Sequence, residues 1–313
     1  NPPTIIPQEP VVIEPADLTP LSKLLGRTRG EARSEMLTTV QDQIPEQITG
    51  RQAGQIADHA GGKDHERYIA EVKRLLERVP APMPIEDARS ILYPLGAGEE
   101  RSKMLMILEP WLPAPITGRQ MYELANTRGG SDSQRYVQAV KRLQPRLVKP
   151  VAIEDAKAVL YYIHGDLRSE LITTIEPNLP DTLAAREMID IIGSRGGSDS
   201  DRLLAEIKRL QPRLVNPVPA EDAKSILYYL NGALRSEAIT ALMPNLPATL
   251  TAREVYDIAD SRGGKDSGRY LTELRRFQPR LPNPIEANEV LTRLYPLAGD
   301  QRSDATTTLM PKQ

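Results

Sequence analysis

Cysteine is absent from this chain of 313 residues. Disulfides, thiol catalysis, iron–sulfur clusters and cysteine zinc sites are excluded together. Aromatics are scarce at 4%, with one Phe and one Trp, fewer than a single large globular core would use. An excess of either charge is also lacking. Forty basic residues against forty-two acidic give a formal net charge of −2. That argues against a strongly electrostatic nucleic-acid binder or a polybasic membrane binder, while leaving room for a local stripe. No apolar run reaches the roughly 18 residues that a membrane-spanning helix needs. The first residues, Asn1-Pro2-Pro3, are neither a start methionine nor a signal peptide, so the chain reads as a fragment or a processed form of unknown address. With 40% apolar and 26% charged residues it is still a folded, soluble type of sequence.

What is abundant is proline, 28 residues, which suits helices only where it falls between them. It does so at a fixed period. Glycine pairs stand at Gly61-Gly62, Gly129-Gly130, Gly196-Gly197 and Gly263-Gly264, 68, 67 and 67 residues apart. Arg-Ser recurs at Arg33, Arg101, Arg168, Arg235 and Arg302, and proline at Pro45, Pro113, Pro180 and Pro247. One period shared by independent features is the mark of a stacked array.

Each period divides into two halves, A and B, each reading as helix, glycine turn, helix, proline. The A halves lie near 48–82, 116–150, 183–217 and 250–284, and B halves lie between them and at both ends. In the second A helix the apolar positions run i, i+4, i+7, as in Tyr68, Val72, Leu75 and Leu203, Ile207, Leu210. That is one face of an α-helix, and no segment alternates as a strand would. Glycine closes one helix, and the following Asp and Ser are expected to cap the next. The sequence predicts an all-α solenoid of about nine stacked hairpins, one domain over 16–313, curved or superhelical, after an extended proline-rich leader at 1–15. Such a hairpin cannot bury its own apolar faces, so neighbours supply the core.

The stretches Leu250–Lys265 and Ile48–Lys63 carry Thr-x-Arg, an apolar helix and then Gly-Gly-Lys. They resemble the repeat of transcription-activator-like effectors. The resemblance implies helical hairpins wound around DNA, with the two residues before the glycine pair facing a base: His59-Ala60, Thr127-Arg128, Ser194-Arg195 and Ser261-Arg262. It also implies a bacterial source and secretion into a host. The B halves lack the double glycine and lysine, and an aspartate follows the turn in all four A copies (Asp64, Asp132, Asp199, Asp266).

The candidate binding row is therefore His59, Thr127, Arg128, Ser194, Arg195, Ser261 and Arg262. Its arginines either hold an acidic or phosphate-bearing partner or satisfy the last carbonyls of their helices. The aspartates of A and arginines of B suggest a structural ladder of opposite charge or a ligand-binding row, and Asp64–Arg67 and Asp266–Arg269 are also i, i+3 partners within A. Tyr161-Tyr162 and Tyr228-Tyr229, with Tyr93 and Tyr295 in register, suggest one tyrosine at the seam and one on the concave side. Trp111 is a local packing or interface residue. His59, His65 and His164 read as solvated turn residues, with no metal site, cofactor or catalytic constellation. The expected function is a non-enzymatic scaffold that binds a protein or extended peptide, with DNA binding as the alternative.

Overall fold

A computed structural model describes residues 9–58, 64–125, 132–193, 199–259 and 266–282, then 285, 288, 294 and 297–309. Among the described residues there are seventeen α-helices and no strand. Two isolated β-bridges, Ile116–Leu147 and Leu183–Leu214, join chain segments at hairpin bases. The chain divides into two compact units, Asn1–Leu179 and Pro180–Gln313.

The first unit holds five hairpins. They are α1 (Thr19–Leu25) with α2 (Glu31–Thr39), α3 (Gly50–Ala57) with α4 (His65–Leu75), and α5 (Ile85–Leu92) with α6 (Glu99–Leu108). Then come α7 (Gly118–Ala125) with α8 (Ser133–Leu143), and α9 (Ile153–Leu160) with α10 (Gly165–Ile175). First helices pack on first helices, α3 on α5, α5 on α7, α7 on α9. Second helices pack on second helices from α2 through α10. The second unit repeats this with α11 (Ala185–Ile192), α12 (Ser200–Leu210), α13 (Ala220–Leu227), α14 (Gly232–Leu242), α15 (Ala252–Ala259), α16 (Ser267–Phe277) and α17 (Gly299–Leu309). Each unit is thus an α-solenoid of two helical layers with the core between them.

The core is the apolar face that the spacing predicts. Tyr68, Val72 and Leu75 are buried, as are Tyr136, Val140, Leu143 and their later counterparts. In B, Met104, Leu105 and Leu108 do the same, with Leu171, Ile172 and Ile175 one period on. The second helix ends in a single 3-10 turn, such as Gln144–Arg146, whose second residue is proline. Each A hairpin is closed at its base by backbone bonding between entry and exit. Ile116 donates to Arg146 at 2.8 Å, Leu183 to Arg213 at 2.7 Å and Leu250 to Arg280 at 2.8 Å. The B hairpins close likewise through Val151 to Asn178 and Val218 to Asn245, both at 2.7 Å.

Trp111 proves to be a packing residue at that closure. It holds the position of Asn178 and Asn245, and its indole N–H donates to the Val79 carbonyl at 3.3 Å. Asn178 sends its own amide to the equivalent carbonyl of Leu147 at 3.0 Å. The leader is helix-free over residues 9–18 and lies against the array. Val11 donates to the Pro82 carbonyl at 2.7 Å, and Ala16 pairs with the Gln52 side chain in both directions.

The helix starts correct one expectation. Asp64, Asp132, Asp199 and Asp266 precede the second A helices without capping them through their side chains. Real caps sit on the first A helices instead, as Thr49-Gln52, Thr117-Gln120 and Thr251-Glu254 boxes.

Candidate functional site

The candidate row of His59, Thr127, Arg128, Ser194, Arg195, Ser261 and Arg262 lies outside the described residues, as do Ala60 and the four glycine pairs. What the structure describes is the frame on either side of those turns, and a second arginine row organises it. Arg33, Arg67, Arg101, Arg135, Arg168, Arg202, Arg235 and Arg269 recur every 33 or 34 residues, once per hairpin. The B members are buried, from 2% exposure at Arg235 to 8% at Arg33.

Their guanidinium groups end helices. Arg101 donates to Leu92 at 2.9 Å, closing α5, and to Leu124 and Glu123 at 3.2 and 2.9 Å, closing α7 of the next hairpin. Arg235 does this for Leu227 of α13 at 2.8 Å and Ile258 of α15 at 2.8 and 3.1 Å. Arg33 reaches Ile56 at 3.0 Å, and burial pulls its pKa below the ordinary arginine value. In A the arginine turns back within its own hairpin. Arg67 donates to Ala57 and Asp58 carbonyls at 2.9 and 2.6 Å and to the Asp64 carboxylate at 2.6 Å. The bond to Asp64 raises the Arg67 pKa. Arg202 repeats this with Ile192, Gly193 and Asp199. The i, i+3 pairs expected within A are present in all four copies, Asp64–Arg67, Asp132–Arg135, Asp199–Arg202 and Asp266–Arg269. A carboxylate three residues away on the same helix reaches a guanidinium more readily than one a hairpin further on. This row joins helices.

Between hairpins of the A-to-B kind in the first unit, tyrosine takes the arginine's place. Tyr68 Oη donates to the Ile91 carbonyl at 3.0 Å, and Tyr136 Oη to Val159 at 2.7 Å. Both phenols are buried, which pushes their pKa well above the ordinary value. The buried carboxylates Glu206 and Glu273 sit beside Arg209 and Arg276 of their own helices. Among the described residues no cluster of His, Asp or Glu could hold a metal ion. His65 opens α4 and His164 precedes α10, and His59 is not described.

The surface of the first-helix layer is the site that remains. Its charges are interleaved. Arg89 of α5 meets Glu123 of α7 at 3.1 Å, and Lys224 of α13 meets Asp257 of α15 at 3.7 Å. Arg119 and Arg253 pair with the same two carboxylates. Beside them stand tyrosines at the C-terminal ends of the B first helices. Tyr93 is 82% exposed, Tyr161 65%, Tyr162 45%, Tyr228 56% and Tyr229 40%. Tyr162 packs across the seam between hairpins, as expected of one member of each pair, and Tyr161 faces outward. The members of each pair meet edge to face, at 4.6 Å for Tyr161–Tyr162 and 4.9 Å for Tyr228–Tyr229. Tyr122 on α7, which the sequence reading passed over, stacks on Tyr162 with centroids 6.3 Å apart. Partial burial raises its pKa.

A groove of about 780 Å³ crosses this layer in the first unit, over α3, α5 and α7. Gly54, Tyr93 and Pro94 line it, with Arg51, Glu86 and Arg89 at its polar margin. No family model, curated protein or solved structure matches the chain. The site is therefore read on its own chemistry: exposed tyrosines, paired charges and a groove along stacked helices.

Proposed function

We propose that the protein is a non-enzymatic helical-repeat scaffold that binds a protein segment or extended peptide along its first-helix layer. The observation that carries this reading is the exposed tyrosine series, Tyr93, Tyr161, Tyr162, Tyr228 and Tyr229, repeated at the same helix ends in each unit. Exposed tyrosine offers large contact area, low entropy loss and a polar tip, which is why it concentrates in protein interfaces. The interleaved charges favour the same partner. Arg89 and Lys224 already lie against carboxylates, so a phosphate backbone would meet Glu123 and Asp257 beside those cations.

Selection of peptides from a displayed library on the whole chain tests the reading. Enriched peptides should bind the wild type and lose about tenfold or more in affinity when Tyr161, Tyr162, Tyr228 and Tyr229 become Ala. Failure of any peptide to enrich, or equal binding by the quadruple variant, would reject it. A mixed-sequence DNA duplex run in parallel addresses the alternative that the effector-like motif raises. Binding that falls steeply with salt and vanishes when Arg128, Arg195 and Arg262 become Ala would put DNA in the peptide's place.

A further inference from the structure

We infer that the groove of the first unit is a seat for one aromatic side chain of a bound segment. The inference rests on the peptide-binding reading and adds to it a specific pocket with a specific occupant. The argument comes from a break in the repeat. Gly54 stands in register with Tyr122, Ile189 and Tyr256, and Pro94 with Tyr162 and Tyr229. In the next period the two tyrosines at these positions stack, ring centroids 6.3 Å apart and planes 27° apart. Tyr122 also meets the edge of Tyr136 at 6.4 Å. A period further on, Tyr256 lies against Tyr270 in the same way, at 6.1 Å.

The first period keeps the frame of this cluster and omits both rings. Tyr68, the counterpart of Tyr136, is buried and makes the same bond to the next hairpin. Gly54 and Pro94 place no ring there, and both line the groove together with Tyr68 and Tyr122. The chain's own second period therefore displays the occupant that the first period lacks. Tyr93 stands at the rim, 82% exposed, where Tyr161 stands beside the stacked pair. Arg51, Glu86 and Asp58 lie around the groove and suit the hydroxyl and the flanking backbone of a tyrosine better than a purely apolar ring. A tyrosine side chain of a partner segment is the occupant.

The test uses the full chain, isotope-labelled, titrated with N-acetyl-tyrosine amide and, separately, N-acetyl-leucine amide. Amide resonances of Gly54, Ser90 and Tyr93 should shift saturably with the tyrosine compound. The leucine compound should bind about two- to tenfold more weakly. Two variants, Pro94→Tyr alone and Gly54→Tyr with Pro94→Tyr, write the second-period residues into the first and should abolish the shifts. The single variant is included because a Cβ at Gly54 would come within 3.3 Å of the Tyr68 hydroxyl. Absence of saturable shifts in the wild type, equal response to leucine, or wild-type shifts in a helical Pro94→Tyr protein would overturn the inference. If displayed peptides still bind through Tyr161, Tyr162, Tyr228 and Tyr229 in that case, the seat alone fails. If the amide binds and no peptide does, the broader reading fails instead.

Discussion

Arg235 is 2% exposed and directs its guanidinium at the C-terminal carbonyls of two helices in different hairpins. A planar fork of five donors suits that task, and a lysine ammonium does not. Replacing it by Met removes those donors and leaves buried carbonyls behind. Arg235→Met should cost about 3 kcal/mol in urea unfolding, against under about 0.5 kcal/mol for Arg253→Ala, whose exposed ion pair is screened by water. Equal losses would mean that helix closure by the buried row contributes little. This row was readable in outline only. The Arg-Ser copies of B give a period of 67, but Arg67 and Arg135 follow an aspartate in A and look like local ion-pair residues. Their common spacing of 33 or 34 residues puts both kinds at one position of the hairpin, and the structure shows what each does there. Tyr136 offers a second check at this scale. Its folded pKa is raised by burial, so between the ordinary tyrosine value near 10 and the folded value only the unfolded chain loses its proton. Stability should fall as pH rises through that window, by up to about 1.4 kcal/mol per pH unit for this group. Tyr136→Phe should be less stable at neutral pH by about 1 kcal/mol and show a shallower alkaline decline. Parallel curves for the two proteins would contradict the assignment.

The helices themselves are short, eight residues for each first A helix, so their ends weigh heavily in their stability. Thr49, Thr117 and Thr251 cap three of the four, and Ala184 stands at the fourth. Glu187 still accepts from the Ala184 N–H at 2.7 Å, so half of a capping box is in place. The backbone at Ala184, φ −67 and ψ 151, is already that of a cap. Ala184→Thr should supply the missing acceptor and stabilise the protein by about 1 kcal/mol in denaturant unfolding. A neutral or negative result would show that the N-terminal end of α11 is held by other contacts. At this scale the sequence was most legible, because apolar spacing and punctuation act within one hairpin. Thr-x-x-Gln and Thr-x-x-Glu were visible signals of where first helices start, yet the aspartates after the glycine turns drew attention as the caps. Their carboxylates are taken by arginines three residues on, partners that the Asp-x-x-Arg spacing also offered. Gly54 and Pro94 were equally plain in the alignment of repeats. That they adjoin one groove depends on the packing of α3 against α5, which no single hairpin encodes.

Across either unit, the bonds that join hairpins are short in sequence. Arg33 to Ile56, Tyr68 to Ile91, Arg101 to Leu124 and Tyr136 to Val159 each span 23 residues. A structure built of such steps joins each hairpin chiefly to its neighbours, so its stability is close to a sum of unit and neighbour terms. The period of 67 made that architecture legible, since nothing but stacked neighbours could bury so many small aliphatic faces. The ligand was not legible, because the first-helix surface varies freely on a constant frame. The nearest-neighbour picture makes a quantitative demand within the first unit. Arg33 acts on α3, and Tyr136 joins α8 to α9, so Arg33→Met and Tyr136→Phe share no partner. Their effects should add within about 0.5 kcal/mol. Arg101 and Arg135 both hold the C-terminal end of α7, through Leu124 and Ala125, and Arg135 also reaches the Ser102 hydroxyl. Arg101→Met with Arg135→Met should therefore depart from additivity by more than about 0.5 kcal/mol, because once one clamp is lost that helix end has already loosened. Native-state hydrogen exchange gives the same comparison in space. Arg33→Met should lower protection in α1 to α3 and leave α9 and α10 unchanged. Loss of protection spread evenly over the first unit would mean that its five hairpins unfold as one body, and the additive account would fall.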